Sequence, residues 1–364
     1  MDNSALPSTP WDAAFWRGTQ NVAQLDLLSL VDKFPLSPNE SLTFEVLSAS
    51  RSLLEQTLGT LAVQLFNFEV GPKLYLVPHR LGAFVVAIWP TQFPEIQLLS
   101  GTVPASDSRW KKILNRVRRT QGIIQSFLNE SDFSKIAENM ETLGVAEVVR
   151  MSAWRQSEAS SLTKSWPERG DGQRFTPLEV ISDASAHGDS IRSMQVIVKP
   201  GFNSHVRRSS GASFYGGSFR AFASAVLEPL AESAANRVQL LSHRERKMQG
   251  ELHPVVIRLN GDVFRSAEDT HRLRRHIEQL SEISVGVLHK NPYLHLLVAD
   301  HRDGSTYDVV VTEPSQITIY PSFASSAQAL GRITNELSEQ FAGLSIAEPV
   351  ATRTISILEL VDAS

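Results

Sequence analysis

The sequence predicts an α/β protein with a mixed sheet in its second half. Three observations carry this. Short β-branched runs alternate with helical segments along the whole chain. Four closely spaced strand-like runs, "ISVGVLH", "YLHLLVAD", "TYDVVVT" and "QITIYP", are followed by an amphipathic helix. With 42% hydrophobic and 20% charged residues over 364 positions, the chain can build full cores.

Residues 1–44 are punctuated by proline, with a helical piece over 24–33. "SASRSLLEQTLGTLAVQLFNF" places Leu54, Leu58, Leu61 and Leu65 at helical spacing. "KLYLV" and "FVVAIW" follow as strands, the second apolar throughout and therefore buried. "SDSRWKKILNRVRRTQ" is a helix with Trp110, Leu114 and Val117 on one face and Arg109, Lys112, Arg116 and Arg119 on another. "IIQSFL" is expected as a strand and "FSKIAENMETLGVAEVVRMSAW" as helix. The loop-like stretch 160–177, with Pro167, Gly170, Gly172 and Pro177, sets a domain boundary, giving domains 1–165 and 166–364.

In the second half "LEVISD" and "SMQVIVKP" are expected strands and "SSGASFYGGS" a loop or hairpin. "FRAFASAVLEPLAESAANR" is helical, kinked or divided at Pro229. "PVVIRL" is a strand. Ser266 and Asp269 form a capping box for a helix whose stripe is Leu273, Ile277 and Leu280. Asp303-Gly304 turns the middle pair of the strand run. The closing helix turns Leu330, Ile333, Leu337 and Phe341 inward, with Gly343 as its cap. No internal repeat is visible.

A net charge of -4 excludes a global basic field, so any nucleic-acid contact comes from local patches. The absence of cysteine excludes disulfides, thiol nucleophiles and cysteine metal sites. The N-terminus has no signal-peptide pattern, and the apolar run 81–89 is too short for a membrane span, so a cytoplasmic protein without membrane contact is expected.

Four constellations could carry chemistry. The basic helix followed by "TQGIIQ" is either a solvated face or a phosphate site built from Lys112, Arg116 and Gln121 or Gln125. "VISDASAHGDS" either caps a turn with Asp183 or offers Asp183 at a strand end for metal-assisted chemistry. "HLLVADHRDGSTYD" places His295 and His301 near Asp300 and Asp303, where a hairpin explains them as structure. "SSGASFYGGS", flanked by Arg207, Arg208 and Arg220, fits no phosphate-loop spacing and is an ordinary hairpin or a basic loop.

Taken in order, these segments resemble the C-terminal half of an Argonaute protein, best over 175–364 and more loosely over 80–165. "EVISDASAHGDS" resembles the first strand of a PIWI domain, and "HPVVIRLNGDVF" the strand that ends in an Arg-Asp-Gly turn. "ISVGVLHKN" resembles the strand that closes with a lysine. "GSTYDVVVTEPSQITIYP" resembles the family's Gly-Thr…Asp…Thr-x-Pro…Tyr passage. "RWKKILNRVRRTQGIIQSF" resembles the MID segment that grips the guide's 5′ phosphate, with Lys164 of "LTKSWP" as its second lysine.

The resemblance implies an RNase H-like (PIWI) mixed sheet preceded by a smaller Rossmann-like (MID) domain. It also implies short guide and target nucleic acid as partners and Mg2+ at the guide phosphate as the cofactor. In this sequence the turn aspartate is Asn260, no aspartate or histidine stands at the position of the fourth ligand in "PVATRTISILELVDAS", and Glu228 and Glu232 sit in a helix. Asp183 and Asn260 are then remnants of a nuclease site, and one carboxylate cannot hold two divalent ions. The expected function is guided binding without cutting, by Lys112, Arg116, Arg119, Gln121, Gln125 and Lys164, in prokaryotic defence beside a separate effector. The alternatives are a metal-dependent nuclease using Asp183, Asp189 and Asp262, and a scaffold that only mediates protein contacts.

Overall fold

The computed structural model describes residues 36, 40–67, 72–155, 160–165, 174–209, 211–242, 246–247, 254–290, 293–322, 324–341 and 343–347. The helix expected over 24–33 and the segment 351–364 lie outside them.

Strand β1 (Leu42–Ser48) leads through helix α1 (Arg51–Gly59) into a meander of β2 (Val63–Asn67), β3 (Lys73–Val77), β4 (Phe84–Pro90) and β5 (Ile96–Gly101). Helix α2 (Ser108–Arg118) and the short β6 (Ile124–Gln125) complete this first unit. Next come α3 (Glu130–Leu143), β7 (Val145–Arg155), β8 (Ser160–Ser165), α4 (Pro177–Ala186), β9 (Asp189–Lys199), β10 (Phe202–Arg207) and β11 (Gly211–Gly217). A helical rod follows: α5 (Phe219–Phe222), a π-helical turn Ala223–Leu227, and α6 (Glu228–Ser242). The last unit holds β12 (Arg246–Lys247), β13 (Val255–Leu259), α7 (Ala267–Glu278), β14 (Ile283–His289), β15 (Leu294–Asp300), β16 (Ser305–Val311), β17 (Gln316–Pro321), β18 (Ala324–Ser325), α8 (Ala327–Gln340) and β19 (Gly343–Ala347).

Two main sheets result. The larger has eleven strands in the order β2-β3-β4-β5-β1-β11-β10-β9-β7-β8, with β6 also paired to β1. The smaller has six, in the order β14-β15-β16-β17-β13-β19. Every pairing among the described residues is antiparallel.

The large sheet is packed on both faces. Leu54 and Leu58 of α1 and Trp110, Ile113, Leu114 and Val117 of α2 close one core over Tyr75, Val86, Ile88 and Leu99. The opposite face meets α3, α4 and the α5–α6 rod, where Phe44, Phe214, Phe219 and Phe222 cluster with centroids 5.2–5.9 Å apart. This double burial is why β4 reads as an unbroken apolar run instead of an alternating one. Gly101 is required where Trp110 lies on the sheet: a Cβ there would stand 2.6 Å from the indole ring. In the small sheet only one face is closed, by α7 and α8, and β15 and β16 alternate buried with half-exposed residues.

The chain uses one topology twice. In 42–125 and again in 255–347, a strand, a helix, a four-stranded meander, a helix and a short strand follow in that order, the second stretch adding the two-residue β18 before its last helix. Both times the first strand pairs with the last strand of the meander, and the final strand pairs antiparallel with the first. The sequence reading expects no repeat, and none survives at residue level. A topology needs only matching burial patterns and turns, which unrelated residues supply equally well.

Several expectations are corrected. "LEVISD" is not a strand but the body of α4, started by a capping box between Thr176 and Glu179 with Pro177 in the first turn. The strand begins only at Asp189, so Asp183 does not sit at a strand end. "IIQSFL" contributes only the two residues of β6. The helix expected to run on to Trp154 ends at Gly144, and Val145 starts the long strand β7. Gly343 opens β19 and is not the cap of α8. The sheet runs across the boundary expected at residue 165, because β7 pairs with both β8 and β9. Loop chemistry marks a connection within a sheet as readily as one between domains. The antiparallel pairing also replaces the parallel sheet that a Rossmann-like unit requires. The chain is therefore a mixed α/β protein with antiparallel sheets.

Candidate functional site

A cleft of about 730 Å³ opens between the first and last units. One wall is the end of α2 and the segment leading through β6: Arg118, Arg119, Gln121 and Gln125. The other is α8 and the turns at the ends of β14–β16: Arg332, Glu336, Glu339, Arg302 and Asp303. A side chamber of about 320 Å³ shares Asn115, Arg118 and Ser209 with the cleft and adds Lys111, Arg207 and Glu45.

Helix geometry explains the basic wall. Asp107 caps α2, accepting from the Arg109 amide at 2.7 Å and binding its guanidinium, while the guanidinium stacks 5.5 Å over Phe84. Trp110, Ile113, Leu114 and Val117 then fix the buried stripe. Lys111, Asn115 and Arg118, spaced four and three apart, flank that stripe and face the chamber. Lys112 and Arg116 are exposed on α2 and line neither cavity. Arg119 and Gln121 reach the main cleft.

Gln125 acts as a structural tie. Its Nε2 donates to Glu45 at 3.1 Å and to the Ser209 carbonyl at 2.8 Å, and its own carbonyl accepts from Asn335 of α8 at 2.9 Å. Glu45 is fully buried, and burial raises its pKa against the opposing Arg207, 3.4 Å away, and Arg118. Lys111, Arg118 and Arg207 thus face one carboxylate, which leaves surplus positive charge in the chamber. Lys111, Arg118 and Arg119 hold no ion pair within 4 Å among the described residues.

The opposite wall is acidic. Glu336 is raised by burial and then by Glu339, with Arg118 and Arg302 acting against the shift. Arg302 binds Glu282 at 2.5 Å, and Arg332 pairs with Asp300.

The remaining expected residues lie elsewhere. Lys164 is on the edge strand β8, five strands from β1 and so roughly 24 Å from it at sheet spacing. Its ammonium stands 3.4 Å from Asp183, which His187 also approaches at 3.4 Å. Lys164 therefore does not join Lys112 and Arg116 in one pocket. Asn260 does approach this helix end: its side chain meets Ser185 at 3.4 and 3.5 Å. Asp189 is buried in a two-pronged pair with Arg155 at 2.9 Å, and Asp262 is exposed, 4.0 Å from Arg265. Among the described residues no three His, Cys, Asp or Glu side chains converge to hold a metal ion.

His295 pairs across the sheet with Asp308 at 2.7 Å, His301 with Ser284, and Asp303 holds the α8 cap Ser326 at 2.6 Å, so this passage is structural. The sequence reading missed Lys111 and Arg118, and set Arg207 beside a hairpin or basic loop instead of beside α2. The stripe Lys111, Asn115 and Arg118 beside the apolar face was legible; the convergence of Arg207 from β10 was not.

No helix among the described residues is long and apolar enough to cross a membrane. No protein-family model matches the chain, and no curated protein matches it either.

Proposed function

We propose that this protein binds nucleic acid without cutting it, holding a phosphate-bearing strand end in the cleft between its first and last units. One observation carries the reading: Lys111, Arg118 and Arg207 converge on a chamber that contains the single buried acid Glu45. Converging cations of this kind suit phosphate oxygens, to which charge-assisted hydrogen bonds are short and strong. The facing carboxylates of Glu336 and Glu339 suit exocyclic amino groups of bases, which donate to such acceptors. A cleft of about 730 Å³ is within the usual range for bound small molecules and suits a nucleotide-sized strand end.

In this reading Arg119 and Gln121 contribute at the mouth, and Gln125 acts through Glu45. A guided, Argonaute-like version, with Mg2+ at the phosphate and a defence partner, additionally requires Lys112, Arg116 and Lys164 to grip one phosphate. Their separation in the fold lends that version no support, so the proposal rests on the chamber alone.

The test is fluorescence anisotropy with short 5′-phosphorylated RNA and DNA over a salt series. Binding should weaken as salt rises. The Arg118→Glu, Arg119→Glu double variant should lose roughly tenfold or more in affinity, with Lys112→Glu much less affected. Absence of binding to either nucleic acid at low salt overturns the proposal.

A further inference from the structure

We propose that β14 is a dimerisation edge, at which two copies of the chain pair this strand antiparallel about a two-fold axis through Val285. The strand ends the six-stranded sheet, and among the described residues its only strand partner is β15. Its outer main-chain groups are thus a template for another strand, which folded proteins normally blunt with charge, proline or a covering element. The sequence Ile283–His289, ISVGVLH, contains no proline and neither an acidic residue nor a lysine or arginine. Of the nine large hydrophobic residues exposed among the described residues, four gather here: Val287 (37%), Leu288 (57%), Tyr293 and Leu297. No other part of the described surface concentrates them in this way.

The edge complements itself, which selects a second copy as the occupant. Ile283 and Val285 pack partly on the core beneath the sheet, and Val287 continues the same row outward. An axis at Val285 sets Ile283 opposite Val287 of the second copy and Val285 opposite its equivalent. On the other face Ser284 meets Gly286. Every side chain in the row therefore meets an apolar one, and no like charges oppose. A bulge between Val287 and His289 ends the regular strand there, so the paired segment is the symmetric Ile283–Val287.

The symmetry fixes the direction: a two-fold axis perpendicular to the sheet at Val285 pairs the two edges antiparallel in this register. Because the contact is isologous it closes on itself and stops at two chains.

The test is sedimentation equilibrium of the full chain without nucleic acid, so its result is independent of the cleft. The wild type should show twice the mass of one chain. Val287→Lys, at an already exposed position, should show one chain mass with an unchanged circular dichroism spectrum. Hydrogen exchange on the wild type supplies a check that needs no variant: the β14 amides should gain protection as concentration rises. A wild type that stays a single chain at its highest soluble concentration overturns the proposal, as does a Val287→Lys dimer or β14 protection independent of concentration.

Discussion

Replacing Arg208 with methionine should leave a buried carboxylate without its counter-charge. Arg208 is 1% exposed, and its guanidinium binds Glu130 and the Ile191 carbonyl. It also lies 5.4 Å from the ring of Phe127 and 5.8 Å from that of Phe133. Glu130 stands at the first turn of α3 and also accepts from the Ile191 amide at 3.3 Å. Burial raises the Glu130 pKa, and Arg208 is the first influence opposing that shift. Removing one member of such a pair costs about 3–5 kcal/mol, because the other remains buried and unpaired. Glu130→Gln alone leaves the arginine in the same position. The double variant Arg208→Met, Glu130→Gln keeps an acceptor for the Ile191 amide and buries no charge, so it should recover most of the loss. Urea unfolding followed by tryptophan fluorescence measures all four states. An Arg208→Met cost below about 0.5 kcal/mol, the level of an ordinary surface change, would refute the reasoning. So would a double variant as unstable as the sum of the singles.

Stability should fall on mild acidification because of His205 in β10. Burial, then Arg207 and Arg150, lower its pKa from 6.5 to about 4. The folded state holds the imidazole neutral, while the unfolded chain takes up a proton below 6.5. Stability is therefore lost as pH drops from about 6.5 to about 4, by an amount on the order of 3 kcal/mol in total. His205→Gln should flatten the urea midpoint over that window, and an unchanged pH profile in the variant would discount this histidine. Asn260→Asp should yield no cleavage of labelled single- or double-stranded nucleic acid with Mg2+ or Mn2+. Asp183 is held by Lys164 and His187, and among the described residues no three His, Cys, Asp or Glu side chains converge to hold a metal ion. Metal-dependent cutting by this variant would revive the nuclease reading.

The sequence by itself determined most of the local structure. The unbroken run at β4, the Ser266–Asp269 capping box of α7, the four strands from β14 to β17 and the inward stripe of α8 were all legible, because each rests on residues near one another in the chain. It failed at α4, where "LEVISD" was expected as a strand. The Thr-Pro-x-Glu start that was also present carries the physical decision, because capping satisfies amides that a helix start otherwise leaves bare.

Only the tertiary structure decided which residues meet. Spacing along α2 cannot tell that Arg207 arrives beside Lys111 and Arg118, since β10 joins β1 only through β11. Nor can it tell that Lys164 is carried to the far edge of the same sheet, or that one topology occurs twice. Strand pairing brings together positions distant in sequence, and no periodicity records it. Asn260 is the sharpest case: it meets Ser185 near the end of α4, so the turn read as a remnant of a site packs on a helix end rather than beside a second strand end. What the sequence marked as a missing catalytic carboxylate is, in the fold, a contact between the two halves of the molecule.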